Sequence, residues 1–423
     1  MDIAAKSLSS DNLRTEVAGR TASGLNGGGQ VPLLPLLRER LFPRSGQTPA
    51  DVWIQAVSVG EVEIAATLAA KLKTLDPTIA LLVSSTTPAG VALLPKRFDP
   101  ASGVALRPFP FDLGSPVRRF FNAVRPRLLV LVETELWPRT LAEAGRRNVP
   151  VLVVNGRLSE RSVRRMHLAG PLFRRALSAL THVAARTSED AERFRAVGVD
   201  AARVTVGGDL KLDRPVPPEP VFAARVAALA GDRPIVVAGS LAEDEIPVVL
   251  AARRRLLADG LDVFLLVAPR QPSSFDGAYR RLAAEGLSVV RRTDQGRASS
   301  RADAFLLDSI GELASSYRLG AAALLGGTFV NRGGHNVLEP LRAGLPVVLG
   351  PSVRNIRAAL DAAQGAVFST RDGEEAGRRL ASLLSDGGAR RKAAEAAEAL
   401  FARNAGATAR AAETILALRK GAA

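Results

Sequence analysis

Seven residues, Arg214-Pro215-Val216-Pro217-Pro218-Glu219-Pro220, hold four prolines and interrupt an otherwise regular alternation of apolar runs and helical stretches. Proline fixes φ and removes an N–H donor, so such a run continues neither helix nor central strand. It reads as a linker, and the same pattern runs on both sides of it. Before it, apolar runs at 52–57, 80–84, 128–132 and 151–154 read as strands, with helices over 61–74 and from Pro138. After it, strands are predicted at 234–238, 263–267, 288–290, 304–307, 322–325 and 346–349, with helices between them and one helical stretch over 388–420. Strands apolar on both faces and separated by helices make parallel sheets covered on both sides. The predicted fold class is α/β, with two Rossmann-like doubly wound domains facing each other across a cleft. The expected boundaries are an unstructured tail over 1–30, a first domain over 31–215 and a second over 221–423 that includes the C-terminal helices.

Composition narrows the chemistry. There is no cysteine, which excludes disulfides, thiolate metal sites and a cysteine nucleophile. Only three histidines exist, His167, His182 and His335, so a His-rich metal centre is not expected. No apolar run approaches the roughly 18 residues of a membrane span. No secretory signal is expected from the polar, Gly-rich start. The net charge is +15, which suits a polyanionic partner: nucleic acid, an anionic membrane or a phosphorylated substrate. Aromatic residues are only 4% and no nucleic-acid-binding signature occurs, so nucleic acid is not the expected partner. The segment 31–42, VPLLPLLRERLF, either lies on a membrane or packs on the protein. Arg157, Arg161, Arg164, Arg165, Arg174 and Arg175 crowd one stretch with Leu158, Met166, Leu168 and Leu172, fit either for an anionic lipid surface or for a solvated helix face.

Ligands of doubly wound sheets bind beyond the carboxyl ends of the strands, and the informative residues follow strands. Gly60 permits a turn after the first strand and Glu61 opens a helix, either as a general base facing the cleft or as a complement to the helix dipole. Glu133 and Glu135 stand before a Trp137-Pro138 helix start, one facing the cleft and the other capping. Gly326-Gly327-Thr328, then Gly333-Gly334 before a helix, suit backbone N–H groups approaching a phosphate, with Glu339 about one turn in and within reach of a ribose. A purely structural glycine turn is the alternative. Arg270 and Lys211 add cations after strands.

Taken in order, the motifs SVGE (58–61), TTPAG (86–90), PFD (110–112), ETELWP (133–138), NGRLSERS (155–162), DLKLD (209–213), PRQP (269–272), IGEL (310–313), RGGHNVLEP (332–340) and GP…N (350–355) make a series. This series resembles the bacterial Kdo transferases, which attach 3-deoxy-D-manno-octulosonic acid (Kdo) to the lipid A precursor. The resemblance implies a GT-B glycosyltransferase that moves Kdo from CMP-Kdo to lipid IVA with inversion, needs no cofactor or metal, and works at the cytoplasmic face of the inner membrane as a peripheral protein. By position, it implies Glu61 as general base, and Glu133 and Lys211 as groups steadying the transition state. It places CMP contacts at Pro269 and Arg270, at Ile310, Gly311 and Glu312, and at Asn336, Val337, Leu338 and Glu339. The donor would then lie on the second domain and the acceptor on the first.

Two departures fall on the nucleotide side. The family's Ser-Thr-His-x-Gly-Glu run is Ser240-Leu241-Ala242-Glu243-Asp244-Glu245 here, and Gln271 stands where a His is usual. The apolar N-terminal segment of the family is also shortened to 31–42. A GT-B enzyme using another nucleotide sugar, such as a UDP-hexosamine, would share the same frame.

Overall fold

The computed structural model describes residues 32–44, 46–133, 136–168, 177–213, 216–294 and 301–421. The expected tail over 1–30, Glu135, Arg174, Arg175, Leu172 and the first two residues of the proline run lie outside the described residues. The chain divides into two compact units, one running to Asp213 and resuming at Gly406, the other spanning Arg214–Ala405.

The first unit is a seven-stranded parallel sheet. In chain order its strands are β1 (Val52–Ala56), β2 (Leu81–Ser85), β3 (Ala105–Pro108), β4 (Leu128–Val132), β5 (Val151–Gly156), β6 (His182–Ala185) and β7 (Val204–Val206). Their spatial order is β3-β2-β1-β4-β5-β6-β7. The sequence therefore moves outward from β1 in one direction and then from β4 in the other, which makes the β1/β4 pair the topological switch point. Every residue of β1, β2, β4 and β5 is buried, as expected for strands covered on both faces. On one face Trp53 packs against Phe120 and Phe121, with ring centroids 4.7 and 5.4 Å away. Its indole N–H is not left orphaned, because it donates to Ser84 Oγ at 2.7 Å. Truncating so large a buried ring costs about 3–5 kcal/mol.

The second unit repeats the plan with β8 (Ile235–Leu241), β9 (Phe264–Pro269), β10 (Val289–Arg291), β11 (Ala304–Leu306), β12 (Ala322–Leu325), β13 (Val347–Leu349) and β14 (Val367–Ser369). The order is β10-β11-β9-β8-β12-β13-β14, with all pairs parallel and the switch point between β8 and β12.

One expectation about the C-terminus is corrected. The helical stretch 388–420 consists of Gly387–Ala402 and Ala407–Gly421, separated at Gly406, whose φ of +75° no helix accommodates. The last helix belongs to the first unit and not to the second. Ala407, Ala411, Ala412 and Ile415 pack with Val62, Ala65 and Leu68 of the helix Val59–Leu75. Asp213 fixes its start, accepting the N–H groups of Gly406 (2.8 Å) and Thr408 (2.7 Å). Arg419, near its end, donates to Asp76 Oδ2 at 2.8 Å.

Candidate active site

Glu61 lies in the first turn of the helix Val59–Leu75, directly beyond β1. Its side chain folds back over the helix start. Oε2 accepts the Val57 N–H at 2.7 Å and Oε1 accepts the Ser58 hydroxyl at 2.7 Å. The residue is only 5% exposed, and burial pushes its carboxyl above the usual range. The negative charge of Glu133 pushes the same way, while the bonds from Val57 and Ser58 oppose it. Glu61 thus complements the helix dipole and is buried as well.

The Val57 residue, whose N–H binds Glu61, is itself pinned. Its carbonyl accepts Thr87 N–H (3.1 Å), Thr87 Oγ1 (2.9 Å) and Ser85 Oγ (3.1 Å). Thr87 also caps the helix Pro88–Arg97 through Gly90 N–H. A Cβ on Gly90 would lie 2.2 Å from Ser85 Oγ and 3.1 Å from the Val57 carbonyl, so the TTPAG run demands glycine there.

Glu133 follows β4, on the other side of the switch point from Glu61, and adopts a left-handed φ of +63°. A non-glycine residue held there is strained, and strain of this kind persists where the surroundings impose it. Its Oε1 accepts Lys211 Nζ at 2.6 Å. Lys211 comes from the segment after β7, which Asn155 anchors by accepting Leu210 N–H at 2.9 Å. The same Nζ passes 3.9 Å from where a Gly60 Cβ would stand. Three residues far apart in sequence, Glu61, Glu133 and Lys211, are therefore assembled beside one switch point of the first unit. Sequence reasoning quoted Asn155 and Asp112 within motifs and gave neither a role. Asp112 accepts Arg139 N–H (2.9 Å), Thr140 N–H (2.8 Å) and the Thr140 hydroxyl (2.8 Å), so the PFD run caps the helix Pro138–Arg146 from a distance.

In the second unit, Arg270 follows β9 and lines a pocket of about 180 Å³ with Ala242, Gln271, Ser274, Arg332 and His335. The His335 Nε2 is buried without a hydrogen-bond partner. Burial first, then the charges of Arg270 and Arg332, drive its pKa down to about 4, so the ring is neutral at physiological pH. Two guanidinium groups and a free ring nitrogen suit an anionic ligand bearing oxygen atoms. Ala242 and Gln271, the two departures from the family pattern, both line this pocket.

The other nucleotide-side candidates do not line this pocket. Pro269 ends β9 in the core, and Val337 is buried. Ile310 is 64% exposed, Gly311 has a φ of +94°, and Glu312 accepts Arg292 (3.2 Å) and the Ser309 hydroxyl. Asn336 bridges Leu338 N–H and Glu339, donating to Glu339 Oε1 at 2.9 Å. None of residues 310–312 or 336–339 lines the pocket.

The reason for the glycines also differs from the expectation. Gly326 N–H donates to the Gly239 carbonyl, Gly334 N–H to the Gly327 carbonyl, and Gly333 N–H to Ser352 Oγ. Gly327, Thr328 and Phe329 N–H groups all go to Glu245. These amides are taken, so they do not cradle a phosphate. Glycine is required for close approach instead: a Cβ on Gly326 would lie 2.5 Å from the Ser240 carbonyl, and one on Gly327 2.5 Å from the His335 ring.

Two doubly wound parallel units, each carrying polar side chains at its switch point, define the GT-B class to which nucleotide-sugar enzymes belong. Likeness to solved structures agrees at the level of fold: UDP-GlcNAc 2-epimerase from Neisseria meningitidis bound to UDP-GlcNAc matches with a TM-score of 0.59 at 11% identity, over 86% of this chain and 99% of that one. A family model described as 3-deoxy-D-manno-octulosonic-acid transferase (kdotransferase) matches residues 36–214. The 3-deoxy-D-manno-octulosonic acid transferase of Bordetella pertussis is 35% identical over 397 residues, 90% of this chain and 91% of the relative. That of Haemophilus influenzae is 31% identical over 389 residues, 88% and 90% of the two chains. The chain belongs to the 3-deoxy-D-manno-octulosonic acid transferase family.

Proposed function

We propose that this transferase moves Kdo from CMP-Kdo to the lipid A precursor lipid IVA, with inversion and without a metal ion. The observation that carries the reading is the buried Glu61 carboxylate, raised in pKa, beside the Glu133–Lys211 pair. Glu61 takes the proton of the acceptor hydroxyl as that oxygen forms its bond to the anomeric carbon of Kdo. The bond from that carbon to the CMP phosphate breaks, and its electron pair leaves with CMP. A base with a raised pKa is a stronger base, which favours the proton transfer. Lys211, fixed by Glu133, supplies a positive charge that limits the repulsion between the two carboxylates. In the second unit, Arg270, Arg332 and His335 offer donors to the phosphate and carboxylate of the donor. Among the described residues, no group of three or more metal-ligating side chains occurs.

No described helix is long and apolar enough to cross a membrane. The helix Leu33–Leu41 packs on the protein along one side and leaves apolar residues exposed on another. Leu36 is buried and Arg40 donates to the Phe109 carbonyl at 2.9 Å, while Leu33, Leu34 and Phe42 remain exposed. Exposed leucines next to Arg38, and Arg119 lying over the Phe42 ring, suit peripheral contact with the anionic inner leaflet.

The test is a transfer assay with CMP-Kdo and a tetra-acylated lipid A precursor, with and without EDTA, challenged by CMP or UDP. Transfer that ignores EDTA and is inhibited by CMP supports the reading. Transfer abolished by EDTA, or inhibited by UDP and not by CMP, overturns it.

A further inference from the structure

The second unit holds a fully buried carboxylate, Glu245, with no ion-pair partner among the described residues. It lies three residues beyond Ala242, just past the end of β8. Its four hydrogen bonds all come from backbone amides. Oε2 accepts Ala242 N–H at 2.9 Å and Gly327 N–H at 2.7 Å. Oε1 accepts Thr328 N–H at 3.1 Å and Phe329 N–H at 3.0 Å. A buried charge is tolerated only where its lone pairs are met, and here each oxygen meets two donors. Charge-assisted bonds of this kind are stronger than neutral ones.

The four amides lie on the segments that follow β8 and β12, the two strands flanking the switch point of the second sheet. One carboxylate therefore ties together the two loops on which ligands of doubly wound sheets are held. Its effect reaches the pocket by two short routes. Ala242 lines the pocket directly. Gly327, at a φ of +72°, packs on the His335 ring, and its carbonyl accepts Gly334 N–H at 2.8 Å, so the backbone that Glu245 holds also sets where His335 stands. Thr328, fully buried, extends the tie to the next strand by accepting Gly350 N–H at 2.8 Å.

We propose that Glu245 is a positioning residue that preforms the anion pocket of Ala242, Arg270, Arg332 and His335 by clamping the Gly327–Phe329 backbone to the Ala242 turn. The proposal rests on the reading of that pocket as the donor site. It carries a chemical corollary: glutamine does not substitute for this glutamate. An amide nitrogen has no lone pair for two N–H donors, so Glu245→Gln keeps the volume and loses half the clamp.

The experiment uses the full chain as wild type and Glu245→Gln. Calorimetric titration with CMP and steady-state kinetics with CMP-Kdo and acceptor are both measured. The expected result is a rise in the Kd for CMP and in the donor KM on the order of 100-fold, with the acceptor KM unchanged, as for sub-ångström to ångström misplacement of a site. Equal CMP affinity in the two proteins overturns the proposal, and so does a fall in kcat with both KM values unchanged, the mark of a merely reduced folded fraction. Hydrogen exchange on the wild type decides the matter if Glu245→Gln does not fold. The amides of 327–329 are expected to be protected without nucleotide and unaltered by CMP; rapid exchange that CMP suppresses contradicts a preformed loop. A wild type that binds no CMP defeats the donor reading alone, since the exchange pattern still decides the role of Glu245.

Discussion

The Lys211 ammonium lies 2.6 Å from Glu133 Oε1, joining the segment after β7 to the residue after β4 across 78 positions of sequence. Burial is the main cause of the raised Glu61 pKa, and the negative charge of Glu133 adds to it, so the pair adjusts how basic the nearby carboxylate is. The base must be ionised to act, so activity falls as pH drops through the Glu61 pKa. In Glu133→Gln the repulsion is removed, and the acid limb of the kcat/KM profile moves to lower pH. In Lys211→Met the Glu133 charge is uncompensated, and the limb moves to higher pH. Both variants lose roughly 10²-fold in kcat, the scale of one electrostatic group in a transition state. A pH–rate series on the three proteins checks the opposite signs.

Glu61→Gln separates stability from activity. Burial disfavours the ionised form in the fold, so the Glu61 contribution favours folding at low pH and is lost as pH rises from its unfolded value through its higher folded one. Glutamine keeps an acceptor for Val57 N–H and a donor for Ser58, without the charge. At neutral pH the thermal midpoint of Glu61→Gln is expected to equal or exceed that of the wild type. Differential scanning calorimetry at pH 7 measures it, and a clear drop sinks this account of the site.

Glu143 behaves in the opposite sense. Hydrogen bonds from Arg146, then Arg147, bring its carboxyl down to about 2. The stability this confers is complete above the ordinary carboxylate range and is lost as pH falls toward 2. Glu143→Gln is therefore destabilised at pH 7, and the difference from wild type shrinks on acidification. Urea denaturation at several pH values reads the convergence.

Gly90→Ala tests the frame around Glu61. The new Cβ would collide with Ser85 Oγ and crowd the carbonyl of Val57, the residue whose N–H donates to Glu61. Overpacking of this kind costs about 1–3 kcal/mol, with a drop in transfer activity beyond what the stability loss explains. The paired measurement of thermal midpoint and kcat discriminates a frame effect from simple unfolding.

Much of this was legible from residues alone, and the exceptions have physical causes. Unbroken apolar runs such as β4 and the Val151–Val154 stretch of β5 announce themselves. The strands β3, β6, β7 and β14 did not: each is short and carries a polar residue, Arg107, His182, Thr205 and Ser369, which breaks the apolar run that marks the equally short β11, β12 and β13. The motif series pointed to Glu61, Glu133 and Lys211, and the fold brings them together. Asp112, Asn155 and Glu245 stood in the quoted motifs, but their roles were hidden. Each holds backbone amides distant in sequence, and nothing local tells what such a carboxylate or amide will reach. Glu245 in particular looks like one of three acids opening a helix. The destination of the last helix was equally opaque, because Ala407–Gly421 is small-residue-rich and fits against either sheet until Asp213 claims its start.

The central claim is that Glu61 is the base of a Kdo transfer reaction. The most direct test incubates wild type and Glu61→Gln with CMP-Kdo and lipid IVA and follows Kdo-bearing product by mass. The account predicts product from the wild type and a loss of about 10²–10⁴-fold in Glu61→Gln, with CMP affinity unchanged. Product formation by Glu61→Gln at the wild-type rate would contradict it.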